Sequence, residues 1–537
     1  MENASTFDYI VIGAGSAGSV LANRLSADGK YTVLVLEAGL SSHPWSRIPG
    51  GFSRLIDHPV ANWCFTTEPD EGTGQRKLFV PRGKLLGGTS AINGMIFTRG
   101  QAEDFDTWAQ LGNRGWSFED VLPIFKEMES YSGPADEALR GRDGLLKVSE
   151  SVETGEIYDR IIEAAGQVGI QKTEDYNGGR QDGISMSQTN IRKGRRMSTA
   201  YCYIDPARNR PNLEIQTGAL AEMLLFEDRR CVGVRYRKDG HSIEAFGKGE
   251  VIVSGGAFNS PQILELSGIG DPERLSKLGI ETVMPLKGVG ENLREHYSPR
   301  MKWRIPEELN LTYNAKIKGL GLAWQALRYL FTGTGILGLT SSPIRCFFRS
   351  HYGLATPDAT VAWFPFLIGD RFNLSKESGI TAIAHALRAE SLGSVHIVSS
   401  DPTHQPSIRY NALSSQMDCD VTLAAMRMAR RIMTAPALDD VVTEEAAPGM
   451  ALQSDDELLK WARETGDAAY HPVGTCKMGN DPQGSLGAVV DDKLCVHGVQ
   501  ALRVADASIM PTQTSGNTNA PSIMIGEKAS KMILAAA

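Results

Sequence analysis

The chain has 537 residues, which is too many for one hydrophobic core, so two or more domains are expected. Its composition, 42% hydrophobic and 22% charged, is that of an ordinary globular enzyme. The net charge of −8 at pH 7 argues against a polyanionic partner such as nucleic acid.

The cysteines predict a cytoplasmic protein, and the dispersed histidines, with no H-E-x-x-H motif or clustered carboxylates, predict no bound metal. The seven cysteines are an odd number, are scattered and form no C-x-x-C pair, which favours reduced thiols. We expect no secretory leader, because the first predicted strand begins within ten residues. We also expect no transmembrane segment, since polar residues interrupt the longest apolar run, 317–339. The helical face formed by Leu320, Trp324, Leu327 and Phe331 is predicted to pack in the core.

Residues 8–39 predict a strand, a glycine turn, a helix and a second strand. Residues 9–12 and 33–36 are short β-branched runs, typical of strands buried on both faces. Between them Gly13, Gly15 and Gly18 complete G-x-G-x-x-G. The first glycine allows a tight turn, the second lets a pyrophosphate approach the backbone, and the third lets helix pack on strand.

Glu37 ends the second of these strands. An acid at this position accepts hydrogen bonds from an adenosine ribose and repels a 2′-phosphate. Strand, turn, helix, strand and acid therefore predict a dinucleotide site. The motif does not separate FAD from NAD.

Glycine-rich segments recur along the chain. Residues 80–100, VPRGKLLGGTSAINGMIFTRG, contain five glycines, which indicates backbone pressed against a flat or charged group. Residues 213–254 predict short strands with a hairpin turn at Asp239-Gly240. The next segment, residues 249–270, again predicts strand, glycine turn and helix, so the sheet returns to the same cofactor.

Residues 300–467 have no nucleotide-binding features and are interpreted as a substrate domain. Helical periodicity covers residues 320–331, 421–433 and 455–465. At the C-terminus, residues 502–504 predict a strand and residues 522–534 a helix, so the doubly wound pattern resumes. The predicted division is a discontinuous dinucleotide-binding domain of residues 1–155, 210–300 and 485–537, and a substrate-binding domain of residues 156–209 and 301–484.

Three stretches together resemble the glucose–methanol–choline (GMC) oxidoreductases. They are PRGKLLGGTSAINGMIFTRG, GAFNSPQILELSGIG, and YHPVGTCKMG followed by NTNAPSIMIGE. With the first motif the likeness covers residues 6–534, and it is nearest to the bacterial alcohol, choline and sorbose dehydrogenase branch. The resemblance implies an α/β fold: a doubly wound, Rossmann-type FAD-binding domain with a second α+β substrate-binding domain.

The resemblance also implies which residues bind FAD. The pyrophosphate, ribose and adenosine positions are Gly13, Gly15, Ser16, Ala17, Gly18, Glu37, Trp63 and Ala221. The positions along the ribityl chain and the isoalloxazine are Gly88, Thr89, Asn93, Gly94, Asp506, Ala507, Ala520 and Pro521. Some members attach FAD through a histidine, but the matching residue here is Ile92, so non-covalent FAD is expected.

Oxidation of an alcohol requires a base for the hydroxyl proton and a group that holds the oxygen. Histidine has a suitable pKa, and His471 is the predicted base. Asn519 is predicted to hold the oxygen through its amide, with a helix cap as its alternative role and Asn517 as its nearest competitor. His296 lies either near the mouth of the active site or on the solvated surface.

Other reactive residue types are given structural roles. Cys476 is interpreted as packing, because hydride transfer needs no nucleophile. Ser90 and Ser260 lack a G-x-S-x-G context, which disfavours a hydrolase. Arg195 and Arg196 are expected in a loop near the substrate entrance, with a salt bridge as the default role.

The sequence therefore predicts FAD-dependent oxidation of a primary or secondary alcohol to an aldehyde or ketone. A dehydrogenase is favoured over an oxidase, and the electron acceptor is oxygen or a quinone-like molecule. The alternatives are a non-redox flavin enzyme of the same fold, or an FAD-binding scaffold or sensor without turnover. Choline, a sugar alcohol, a polyether alcohol and an aryl alcohol all remain open as substrates.

Overall fold

The computed structural model of the protein describes residues 5–369, 374–484 and 486–537. Its α-helices are α1 (Ser16–Leu25), α2 (Phe52–Leu55), α3 (Ala102–Gln110), α4 (Phe118–Met128), α5 (Glu156–Gln167), α6 (Asp205–Ala207), α7 (Gly256–Leu266), α8 (Pro272–Lys277), α9 (Tyr313–Lys316), α10 (Gly321–Thr332), α11 (Gln416–Met433), α12 (Asp455–Thr465) and α13 (Asn519–Ala536). Its strands are β1 (Ser5–Ile12), β2 (Val33–Glu37), β3 (Phe65–Thr66), β4 (Phe79–Val80), β5 (Glu129–Tyr131), β6 (Leu146–Glu150), β7 (Gly183–Met186), β8 (Gln188–Thr189), β9 (Ile191–Arg192), β10 (Arg195–Arg196), β11 (Leu213–Thr217), β12 (Leu220–Glu227), β13 (Arg230–Lys238), β14 (His241–Val253), β15 (Ile269–Gly270), β16 (Met284–Pro285), β17 (Tyr297–Ser298), β18 (Arg300–Arg304), β19 (Ile344–Phe348), β20 (Ala359–Phe364), β21 (Gly379–Ala386), β22 (Ser394–His396), β23 (Ser407–Arg409), β24 (Glu444–Ala447), β25 (Asp467–Ala468) and β26 (Leu502–Val504).

A seven-stranded sheet in the described residues joins the two ends of the chain. Its order is β11-β2-β1-β14-β13-β12, with β26 beside β14. The pairs β1–β2, β1–β14, β2–β11 and β14–β26 are parallel, and helices α1 and α13 pack together against this core. The predicted dinucleotide fold is confirmed, and it is built from the N-terminus, a middle segment and the C-terminus.

Local sequence determines much of this sheet. All five residues of β2 are buried, as expected for a β-branched run covered on both faces. The hairpin between β13 and β14 turns at Asp239 and Gly240, with φ of 50° and 82°. Two positive φ values suit the twist of antiparallel strands, so the Asp-Gly prediction is confirmed.

A six-stranded sheet in the middle of the chain forms the second core of the described residues. Its order is β24-β18-β21-β20-β19-β7, and all five consecutive pairs are antiparallel, including the pair that β7 forms with β19 from an earlier segment of the chain. Helix α11 packs across β20 and β21 and buries one apolar face against them. One face of the sheet is left to line a cavity.

Helix α10 forms where predicted, but its apolar face is not in the core. Leu320, Trp324, Leu327 and Phe331 are 87%, 65%, 47% and 85% exposed. The buried residue of this helix is Gln325, so its polar side packs against the protein and the prediction was wrong. Amphipathicity shows that a helix has two faces, but it does not show which face is covered. Among the described residues, no helix combines the length and the apolar character needed to cross a bilayer.

Candidate active site

A cavity of about 300 Å³ extends from the carboxyl ends of β1 and β2 to the six-stranded sheet. In a doubly wound fold ligands bind at this edge of the parallel strands. The cavity is lined by these residues predicted from sequence: Gly13, Gly15, Ser16, Ala17, Glu37, Trp63, Gly88, Thr89, Asn93, Gly94, Ala221, His471, Asp506, Ala507 and Asn519. Fifteen dispersed positions are thus brought to one site.

Gly18, Ala520 and Pro521 are not among the residues that line this cavity. A Cβ on Gly18 would lie 1.9 Å from the carbonyl oxygen of Gly13, so this glycine permits the turn to pack on α1. Ala520 and Pro521 are buried in the first turn of α13. These three residues support the wall of the site, whereas the other positions form its surface.

The glycines at one end of the cavity leave open space beside the backbone. A Cβ on Gly15, which precedes α1, would meet no atom within 4 Å. Gly88 packs on it, because a Cβ there would lie 2.7 Å from Gly15 Cα. Free backbone N–H groups at the start of α1 therefore border the cavity, which is the arrangement that binds a pyrophosphate.

Two carboxylates, Glu37 and Asp506, line the cavity. Glu37 accepts hydrogen bonds from the backbone N–H of Ala14 at 3.0 Å and of Gly39 at 2.9 Å. Burial raises the pKa of Glu37 to about 7, and these hydrogen bonds act against that rise. Asp506 accepts hydrogen bonds from Gly256 N at 2.7 Å and Ser260 Oγ at 2.6 Å. Ser260, which the sequence excluded as a nucleophile, therefore helps to join α7 to the C-terminal segment.

A chain of hydrogen bonds determines the tautomer of His471. His296 Nε2 lies 2.8 Å from Leu387 O, which can only accept, so this nitrogen carries a proton. His296 Nδ1, 3.0 Å from His471 Nδ1, must then accept a hydrogen bond from it. His471 Nε2 is left as an acceptor, and Asn517 Nδ2 donates to it over 2.8 Å. His471 therefore carries its available lone pair on Nε2.

Asn517, and not Asn519, lies beside the imidazole of His471. The Asn519 Oδ1 accepts a hydrogen bond from Ser16 Oγ at 2.8 Å, on the far side of the turn. Asn517 Oδ1 is buried and has no hydrogen-bond partner. The amide that we expected to compete for the role thus contacts His471, while Asn519 joins the starts of α1 and α13.

The imidazoles around the site are held neutral. Burial lowers the pKa of His471 well below its ordinary range, and the neighbouring His296, His385 and Arg345 lower it further. Burial likewise lowers the pKa of His296, whose ring stacks on His385 with 4.6 Å between centroids. His296 is fully buried, so the solvated alternative was wrong. A neutral His471 is in the state that can accept a proton.

Residues that the sequence analysis missed clamp the backbone of His471. Glu295 Oε1 accepts a hydrogen bond from His471 N at 2.7 Å, and Gln513 Nε2 donates to His471 O at 3.1 Å. Arg82 Nη2 donates to the carbonyl of Tyr470 at 2.6 Å. Tyr470 has φ of 68°, a strained value for a residue with a side chain. No local motif marks Glu295 or Gln513, because both reach His471 only through the folded chain.

Two further expectations have different outcomes. Arg196 is buried and donates to Asn93 Oδ1 at 2.8 Å and Ser90 O at 3.2 Å, so its partners are neutral and the expected salt bridge is not formed in the described residues. Cys476 is fully buried in the core of the seven-stranded sheet, and burial raises the pKa of its thiol. The interpretation of Cys476 as packing is consistent with this position.

Two family models of GMC oxidoreductases match the chain, one over residues 7–298 and the other over residues 389–526. The protein is a GMC oxidoreductase. Oxygen-dependent choline dehydrogenase from Brucella anthropi is 39% identical over 537 residues, covering 98% of this chain and 95% of the relative.

Solved structures agree with this assignment. Pyridoxine 4-oxidase from Mesorbium loti has a TM-score of 0.87 at 27% identity, with 98% of each chain covered. Formate oxidase from Aspergillus oryzae RIB40, described with its FAD modification, has a TM-score of 0.91 at 25% identity, covering 99% of this chain and 98% of that one.

This GMC oxidoreductase uses FAD to oxidise an alcohol carbon. The residues of the cavity fit that cofactor, since an open glycine cradle, a buried acid and a neutral imidazole all line it. The predicted family, fold class and cofactor are therefore confirmed.

Proposed function

We propose that His471 is the base of this reaction and that Asn517 donates a hydrogen bond to the substrate oxygen. The hydrogen-bond chain from Leu387 O through His296 supports the first role, because it makes His471 Nε2 the nitrogen that accepts a proton. The contact of 2.8 Å between Asn517 Nδ2 and that nitrogen supports the second, since an alcohol oxygen beside His471 Nε2 would meet both groups.

The chain then performs three tasks. Asn517 and His471 orient the hydroxyl group, and His471 Nε2 takes its proton as the carbon gives up a hydride. Bound FAD supplies the hydride acceptor. The imidazolium that forms keeps its Nδ1–H bond to His296, and the clamp of Glu295 and Gln513 on the His471 backbone limits motion of the ring.

Anaerobic mixing of the yellow holoenzyme with a panel of alcohols tests this function. We expect at least one alcohol to bleach the flavin absorbance, whereas the non-redox and scaffold alternatives predict no bleaching. The rate at which air reoxidises the reduced flavin is then compared with the rate for a quinone. We propose that the quinone reoxidises it faster. Choline, the alcohol in the relatives' name, is one member of the panel.

Alanine variants of Asn517 and Asn519 test which of the two amides holds the substrate oxygen. Asn517→Ala removes the donor beside His471, and we expect kcat to fall on the order of 10²-fold, as when an oxyanion donor is lost. Asn519→Ala removes a contact to Ser16 and should change kcat less than about tenfold, with weaker FAD binding as its main effect. Pre-steady-state flavin reduction and FAD titration measure the two effects. A larger loss of the reduction rate in Asn519→Ala than in Asn517→Ala would show that Asn519 holds the substrate oxygen.

We propose that FAD is bound without a covalent bond, because Ile92, which lines the cavity, has no nucleophilic atom. Precipitation of the holoenzyme in acid should release nearly all of the flavin into the supernatant. The flavin content of the native protein, measured first, is the reference. A yellow pellet after washing would contradict this expectation.

We also propose that the two sheets mark the two domains, with boundaries near those drawn from sequence. The seven-stranded sheet uses strands from residues 5–37, 213–253 and 502–504, which supports a discontinuous FAD-binding domain. The six-stranded sheet lies within residues 183–447.

A cytoplasmic location is proposed on the cysteine pattern of the sequence.

A further inference from the structure

One row of paired residues crosses the six-stranded sheet on the side of the cavity. Arg300 pairs with Ile383, Ile383 with Ala362, and Ala362 with Arg345. Residues directly opposite on neighbouring strands point to the same face of a sheet. The two arginines therefore lie at the ends of one row, and Arg300, Ile383 and Arg345 all line the cavity.

The charges of these arginines are balanced differently. Arg300 forms an ion pair with Asp467, with Nη2 and Oδ2 2.6 Å apart. Arg345 is only 5% exposed, and its Nε has no hydrogen-bond partner. No carboxylate among the described residues forms an ion pair with it, and the ring of Phe347, 5.6 Å from Cζ, offers a cation–π contact. Arg345 is thus a buried cation with its charge uncompensated.

The carboxylates that line the cavity cannot provide that compensation. Both Glu37 and Asp506 already accept hydrogen bonds from backbone N–H groups, and neither forms an ion pair with Arg345. The charge of Arg345 instead reaches His471, whose pKa it helps to lower. Ile383 of the row and His385, two residues along β21, point to the same face of the sheet. The His385 ring stacks on His296, which is hydrogen-bonded to His471. Arg345 therefore lies on the side of the cavity that holds His471.

We propose that Arg345 binds an oxyanion of the substrate, so that the alcohols oxidised here carry a carboxylate or phosphate group. This inference rests on the proposed role of His471 at the same site. An unpaired buried cation is costly, and an anionic ligand removes that cost. The planar guanidinium matches both oxyanions by paired hydrogen bonds. A cationic alcohol such as choline would meet a like charge.

Matched alcohols that differ in charge test the inference on the native holoenzyme. ω-Hydroxy carboxylates of increasing chain length are compared with their amides, 2-hydroxyethyl phosphate is added, and choline is compared with its neutral isostere 3,3-dimethylbutan-1-ol. We expect kcat/KM for the best carboxylate or phosphate to exceed that of a neutral analogue at least tenfold. Choline should fall below its isostere by a similar factor. The carboxylate and phosphate arms identify which oxyanion is preferred.

Substitution of Arg345 should remove the discrimination between charged and neutral alcohols. In Arg345→Gln we expect the carboxylate-to-amide ratio and the ratio of the neutral isostere to choline both to approach one. Arg345→Lys should retain part of each ratio and is the second variant if the first does not fold. Arg349→Gln, which removes a half-exposed arginine that pairs with Asp182, is the matched control and should leave both ratios unchanged.

A measurement without turnover completes the test. Butanoate and other carboxylates lacking a hydroxyl are titrated into the holoenzyme, and binding is read from the flavin spectrum. They should bind at least tenfold more tightly to the native protein than to Arg345→Gln. Equal kcat/KM for charged and neutral alcohols, preference for choline, or ratios that survive in Arg345→Gln would overturn the inference. A flavin that no alcohol reduces, while carboxylates still bind through Arg345, would overturn the proposed function instead.

Discussion

His471→Ala is expected to lower the rate of flavin reduction by roughly 10²–10⁴-fold, the usual contribution of a positioned general base. The protein should still bind FAD, because the hydrogen bonds of His471 go to His296, Asn517, Glu295 and Gln513 and none goes to the glycine turn. Anaerobic stopped-flow absorbance with the best alcohol of the panel measures the rate. The ratio of visible to ultraviolet absorbance measures FAD content.

His241→Ala is the matched control for this variant. His241 is exposed at the start of β14, beside the hairpin turn and outside the cavity lining. It should leave the reduction rate within about twofold, as expected for a surface substitution far from the site. If His471→Ala reduced its flavin as fast as the native protein, a different group would have to take the proton.

Gly18→Ala is expected to destabilise the nucleotide end of the cavity more than any single change to its lining. The new Cβ would lie 1.9 Å from the carbonyl oxygen and 3.0 Å from the carbonyl carbon of Gly13, and both are backbone atoms. The turn or α1 must then move, at a cost of about 3 kcal/mol, the upper part of the range for an overpacked core. If this free-energy cost destabilises the FAD-bound protein, it corresponds to roughly 10²-fold weaker FAD binding. Titration of the apoprotein with FAD and thermal unfolding followed by flavin fluorescence measure the two effects.

Gly166→Ala separates this clash from a general effect of replacing glycine. Gly166 lies inside α5, and a Cβ there would meet no atom within 4 Å. Alanine is the better helix former by about 1 kcal/mol, so this variant should be at least as stable as the native protein. Native FAD affinity in Gly18→Ala would show that the turn adapts more easily than its geometry indicates.

The nucleotide half was predictable because its signals are local. Glycines in one turn, β-branched runs on either side and an acid at the strand end all lie within residues 8–39, and the structure has them as β1, α1 and β2. The six-stranded sheet was harder. Strand β19 is buried along its whole length and β21 at all but one residue, so no alternation of polar and apolar residues marks their faces.

The pair of asparagines shows why the site was only partly predictable. The helix was predicted to start at residue 522, but α13 begins at Asn519, since a proline is tolerated in the first turn of a helix. This places Asn519 in the helix and leaves Asn517 in the preceding loop, against His471. Two identical side chains two residues apart thus point to different partners. Glu295, His296 and Arg345 reach the site only through long-range packing, for which a single sequence has no local signal.

The pairing of β26 with β14, and of α13 with α1, has a consequence for biosynthesis. Until residues 502–536 leave the ribosome, β14 has an unpaired edge and α1 an uncovered apolar side, both of which favour aggregation. The lining of the cavity is also incomplete until then, because Asp506, Asn517 and Asn519 belong to this segment. The nascent chain therefore remains partly folded until the segment has been synthesised.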